Sequence, residues 1–91
     1  MKMLKCMGLA SGEPCDVVGQ FLEYFDPDAY DGRGEVRFTV DRLRAKHFET
    51  AADALRFWNM VSPSRPTRED GKPNKPLTAF HMEIEDDGVH M

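Results

Sequence analysis

Long apolar runs are missing from this 91-residue chain. None approaches the ~18 consecutive apolar residues that mark a membrane helix. Cysteine is scarce: Cys6 and Cys15 are the only two, enough for one bridge, and nothing else marks a secreted chain. The opening MKMLKCMGLASG has a lysine inside a very short apolar run, which falls short of a signal-peptide core. Together these absences predict a cytoplasmic protein with two reduced thiols and no membrane partner. Catalytic signatures are missing as well. His47, His81 and His90 are scattered, and no Ser/His/Asp pattern, zinc-ligand spacing or glycine-rich phosphate loop is present. Neither an enzyme nor a cofactor is expected, and no internal repeat is visible.

The nearest approach to a metal motif is FDPDAYDGRGE, where Asp26, Asp28, Asp31 and Gly32 suggest a calcium loop. An EF-hand needs acids at its first, third and fifth positions, glycine at the sixth and glutamate at the twelfth. Counting from Asp26, the fifth position is Tyr30, Gly32 falls one place late and the twelfth is Arg37. The register fails, so a solvated turn with local Asx bonds is expected and no metal site.

What is present is enough for a core. Hydrophobic residues make up 41% of the chain and nine are aromatic, which excludes a generally disordered polymer. Charge is unevenly spread beneath a net −4. Residues 1–35 hold seven acids against three Lys/Arg, residues 36–75 hold five against nine, and the last sixteen hold four acids and no Lys or Arg. A basic middle between acidic ends predicts two differently charged faces more than a uniform nucleic-acid binder.

The spacing predicts one long amphipathic helix over Thr50–Val61. Thr50 is its cap, Asp53 sits in its first turn, and Ala51, Ala54, Leu55, Trp58 and Val61 form one face. Ser62-Pro63 ends it, and Phe48 is expected to be buried just before it. Three strands are predicted: Val17–Phe25 with imperfect alternation, Glu35–Val40 with Val36, Phe38 and Val40 inward, and Leu77–Glu85 with Phe80, Met82 and Ile84 inward. The first two flank an Asp-Gly-rich connection and read as a hairpin. Asp41–His47 reads as a single helical turn capped by Asp41. Residues 1–16 and 86–91 are expected to be flexible or edge segments of one small domain. The resulting fold is α+β: an antiparallel sheet of three to four strands with one helix on a face, in β-β-α-β order.

Two stretches attract functional readings. The series Arg33, Arg37, Arg42, Arg44, Lys46 and His47, followed by Arg56, resembles a phosphate-facing patch, although Glu35, Asp41, Glu49 and Asp53 interleave with it. The stretch from Ser62 to Pro76 holds four of the six prolines, including two P-x-x-P patterns, and is long for a structureless connection. If Leu77–Glu85 and Glu35–Val40 share a sheet, that loop and the Asp31–Gly34 turn present Arg33, Arg65, Arg68 and Lys72 on one rim. Arginine's planar fork suits such a partner-binding surface. Glu83, Glu85, Asp86 and Asp87 form a second, acidic candidate.

Three segments together carry a resemblance: FDPDAYDGRG (25–34), AKHFETAADALxFW (45–58) and REDGKPNKPLTAF (68–80). The chain resembles, over roughly residues 20–85, a group of small proteins encoded by phages and prophages of proteobacteria, with DGKPNKPLTAF the most specific part. The resemblance carries over no catalytic residue. It implies a context in which small accessory proteins inhibit host defence, anti-CRISPR proteins among them. The leading expectation is a non-enzymatic protein, monomer or homodimer, that binds and blocks a host protein or nucleoprotein complex stoichiometrically, without direct sequence-specific nucleic-acid binding. The alternatives are a nucleic-acid-binding or regulatory module using Arg37–His47, and a phage structural or assembly factor.

Overall fold

The computed structural model describes residues 1–86. Four strands, Lys2–Leu9 (β1), Phe21–Asp26 (β2), Glu35–Thr39 (β3) and Phe80–Asp86 (β4), form one sheet in the order β3-β2-β1-β4. Every neighbouring pair is antiparallel. The helix Ala51–Trp58 (α1) crosses from β3 back to β4 and packs on β1 and β4. This is the expected α+β architecture, and no helix among the described residues is long and apolar enough to cross a membrane.

The first correction concerns the N-terminus. Residues 1–16 were expected to be flexible or at an edge, but β1 lies inside the sheet, between β2 and β4. Its lysines hide the reason. Met3, Leu4 and Cys6 are all fully buried, so both faces of the strand are covered and no simple alternation results. Leu4 and Cys6 join the main core with Leu22, Phe48, Ala54, Leu77 and Met82, while Met3 packs on the opposite face with Phe21 and Ala45.

The imperfect alternation of β2 has a specific cause. Its register with β3 shifts between Leu22 and Tyr24, a bulge that turns Phe25 onto the core side with Leu22. Residues 17–20 lie before the strand, which begins at Phe21 rather than Val17. β1 and β2 meet only around Lys5 and Phe21. Beyond that point residues 46–48 make the ladder contacts instead. Lys46 N–H donates to Leu22 O at 2.8 Å, and Phe48 exchanges backbone bonds of 2.7 and 2.8 Å with Lys2. Phe48 is buried, as expected.

The helix begins where the sequence places it: Thr50 Oγ1 accepts the Asp53 N–H at 3.1 Å. Its buried face differs from the expected one. Ala54 is fully buried and Phe57 and Trp58 pack on the core, whereas Ala51 is exposed and Leu55 is 48% exposed. Trp58 Nε1–H is within bonding distance of Leu77 O (3.1 Å) and Phe80 O (3.2 Å), which fixes the helix against the start of β4. Val36, Phe38, Phe80 and Ile84 line the core, but β3 ends at Thr39 and Val40 is 78% exposed. Asp41 begins the single turn expected after β3: its carboxylate accepts Leu43 N–H at 2.9 Å and its carbonyl accepts Ala45 N–H at 3.2 Å.

The proline-rich connection is folded. Arg68 N–H donates to Lys72 O (2.8 Å), Gly71 N–H to Arg68 O (2.9 Å) and Asn74 N–H to Pro66 O (2.9 Å). These bonds make a miniature hairpin with a tight turn at Arg68–Gly71, and Gly71 takes the left-handed conformation (φ 84°) that such three-residue hairpin loops require. Pro73 pairs with Thr67 across the hairpin, at a position between the two ladder bonds where no N–H is needed. A 3-10 turn at Pro76–Ala79 then leads into β4.

Candidate functional site

The turn between β2 and β3 begins with ordinary local chemistry. Asp26 Oδ1 accepts the Asp28 N–H at 3.0 Å, an Asx bond. The next residues are unusual. Tyr30 (φ 52°) and Asp31 (φ 60°) are both left-handed, and Gly32 follows at φ 88°. Aspartate tolerates this region; tyrosine does so rarely, and such residues are held at an energy of order 1–3 kcal/mol each by their surroundings. Tyr30 is 68% exposed, so its ring is presented to solvent and takes no share of the core.

The surroundings that hold the turn come from the miniature hairpin. Asn74 Nδ2 donates to Gly32 O at 2.7 Å and to Arg65 O at 2.9 Å, using both hydrogens of one amide. Ser62, the one fully buried polar residue among those described, donates its N–H to Asn74 O at 2.9 Å. Asp28 Oδ1 accepts Ser64 N–H at 2.9 Å and stands 3.4 Å from Ser62 Oγ. These bonds to the Ser64 N–H and the serine hydroxyls hold the Asp28 carboxyl below its ordinary value of 3.8. Gly32 is buried against Arg65, and a Cβ there would lie 2.5 Å from Arg65 Cβ. Only glycine satisfies both the close approach and the backbone angle.

A cleft of about 190 Å³ opens between turn and hairpin, lined by Arg33, Arg65, Arg68, Asp31, Glu69 and Asn74 among others. Arg65 pairs with Asp31 at 3.0 Å and Arg68 with Asp70 at 3.4 Å, both in exposed positions. Exposed pairs of this kind contribute about 0–1 kcal/mol and exchange partners readily. Arg33 is exposed with no carboxylate of the described residues within 4.0 Å.

Three of the four residues expected on the rim therefore meet at one cleft. Lys72 is exposed within the hairpin, outside the lining. β3 and β4 do share a sheet, but as its two edges, and it is the Asn74 and Ser62 network that joins the loops. The acidic candidates lie elsewhere. Glu83 is exposed on β4, Asp86 pairs with Lys2 at 3.0 Å, and Asp87 falls outside the described residues. Glu85 Oε2, closed off from water, stands 3.5 Å from the Arg42 guanidinium without a hydrogen bond. Tyr30, Ser62, Asn74 and the role of Asp28 escape sequence reading, because each depends on a contact across 30 or more residues or on a backbone angle.

The basic series folds back on the protein. Arg37 lies 4.8 Å over Tyr24, Arg42 lies 4.9 Å over Phe21, and Arg44 pairs with Glu23 at 3.0 Å. A broader groove of about 410 Å³ runs beside α1, floored by Phe48, Phe57 and Met60. Lys46 crosses it 4.9 Å from the Phe57 ring and 5.7 Å from that of Phe48, so its stem already covers the apolar floor. Among the described residues no group of three or more His, Cys, Asp or Glu is placed to hold a metal ion. No family model, curated protein or solved structure matches the chain.

Proposed function

We propose that the protein is a non-enzymatic, stoichiometric binding protein that blocks a host defence nucleoprotein complex, in the manner of anti-CRISPR proteins, in the cytoplasm of the phage's host. Its docking surface is the rim carrying Arg33, Arg65 and Arg68, with Tyr30 beside it. One observation carries this reading. Asn74 joins two loops 42 residues apart into a platform that holds Tyr30 and Asp31 in a strained turn and keeps arginines at the surface. A surface ordered in advance loses little entropy on binding, and exposed tyrosine and arginine are the usual anchors of protein interfaces. The phage context rests on the sequence resemblance alone.

The nucleic-acid module using Arg37–His47 has less support, since Glu35, Asp41, Glu49 and Asp53 interleave with it and Arg37 and Arg42 lie over the rings of Tyr24 and Phe21. Titration of the protein into a fixed amount of purified CRISPR effector, with target cleavage as the readout, separates the two. A stoichiometric inhibitor removes activity in proportion to its molar ratio to effector, whatever the DNA concentration. Inhibition that instead follows DNA concentration, and retention of naked DNA that falls steeply with salt, would favour the module.

A further inference from the structure

The two cysteines are brought together by the fold. Cys6 Sγ and Cys15 Sγ stand 4.0 Å apart, both as free thiols. Cys6 is fully buried on the central strand, next to the irregularity between Cys6 and Gly8, while Cys15 is half-buried in the 10–20 segment that covers the core edge. We infer that Cys6 and Cys15 are a reversible modification site, a dithiol closed to an intramolecular disulfide by a small disulfide such as oxidised glutathione, and that closure staples the 10–20 segment to β1.

Geometry permits the bond. The sulfurs must come roughly 2 Å nearer to reach the ~2.05 Å of a disulfide. The 10–20 segment has the slack to allow this. Its ends are tied by Ala10 N–H to Ala79 O and Gly19 N–H to Cys6 O, both at 2.8 Å. Residues 13–15 belong to no helix, strand or turn. Val17 packs on the core beside Cys15, so the segment stays near Cys6 while it flexes.

Burial sets the order of events. Cys15 is reachable from solvent, whereas burial raises the Cys6 pKa and shuts it off from an incoming oxidant. The Cys15 thiolate attacks one sulfur of glutathione disulfide, forming a mixed disulfide and expelling one glutathione thiolate. The Cys6 thiolate then attacks the Cys15 sulfur, forming the protein disulfide and expelling the second glutathione. Two protein thiols are oxidised, one glutathione disulfide is reduced to two glutathiones, and the two thiol protons pass to them. Excess glutathione reverses both steps.

The full chain incubated with oxidised glutathione, then analysed by intact mass and peptide mapping without reduction, tests this. The expected product is a monomer lighter by two hydrogen atoms with a Cys6–Cys15 cross-linked peptide. Its melting temperature should rise on the order of 5–10 °C, as closing a loop of this length restricts the unfolded chain. In the reduced protein, limiting iodoacetamide should label Cys15 at least about tenfold faster than Cys6, following their exposure. Cys15→Ser, at a half-exposed position, should fold normally and gain neither the mass loss nor the thermal shift. A chain that stops at glutathionylated Cys15, cross-links to a second chain, or melts lower once internally bridged would overturn the inference.

Discussion

Asn74 Nδ2 donates to the carbonyl of Gly32 at 2.7 Å, and this bond makes one surface of two loops that are remote in sequence. The second hydrogen of the same amide reaches Arg65 O, so one side chain fixes both walls of the cleft. Asn74→Ala removes both donors and leaves a partly buried carbonyl unpaired. Hydrogen bonds of this kind contribute about 1 kcal/mol each, and here the loss falls on the platform more than on the sheet. Amide exchange should accelerate on the order of tenfold at Ser62 and Arg68, with the β1 amides little changed. Unchanged protection at Ser62 would show that the platform stands without Asn74.

Neighbouring positions on α1 should respond in opposite ways. Ala54 is fully buried and Leu55 half exposed. Leu55→Ala is expected to destabilise by less than about 1 kcal/mol, and Ala54→Leu by about 1–3 kcal/mol through overpacking. Urea unfolding of both variants checks the orientation of the helix; a larger loss for Leu55→Ala would reverse it.

That contrast marks where sequence reading ran out. Thr50 and Asp53 announced the helix start because a cap is local chemistry. The face was ambiguous because Ala54, Phe57, Trp58 and Val61 have the same i, i+3, i+4, i+7 spacing as Ala51, Ala54, Leu55 and Trp58. Which stripe is buried depends on β1 and β4. Glu35–Thr39 was legible through alternation on a strand with one covered face. β1 was not, since Met3 and Leu4 are buried on opposite sides. Arg33, Arg65 and Arg68 could be placed on one rim from their loops, but the asparagine that joins those loops, and the left-handed Tyr30, have no sequence signature.

Acid should loosen the platform through Asp28. Its folded carboxyl is held below 3.8 because the ionised form accepts the Ser64 N–H. The contribution is therefore present above the ordinary carboxylate range and is lost as pH falls through the depressed folded value. The Ser64 amide shift should titrate with its midpoint below 3.8. Asp28→Asn should abolish that titration. A midpoint at or above 3.8 would mean that the bond does not favour the ionised form.

Trp58→Phe tests how the helix is tied to β4. The ring volume is largely kept while the donor facing Leu77 O and Phe80 O is lost. A loss of about 1–3 kcal/mol is expected from the carbonyls left unpaired. A melting curve matching the parent would place the anchoring in ring packing alone.

The rim is tested most directly by Arg33→Ala combined with Arg68→Ala, measured against the same CRISPR effector by isothermal titration. Both side chains are exposed at the cleft, so the melting temperature should stay near that of the parent, surface changes usually lying within about 0.5 kcal/mol. The account predicts that the dissociation constant rises at least about tenfold, equivalent to about 1.4 kcal/mol, with inhibition lost in parallel. Parent-like affinity and inhibition in a fully folded double mutant would contradict it.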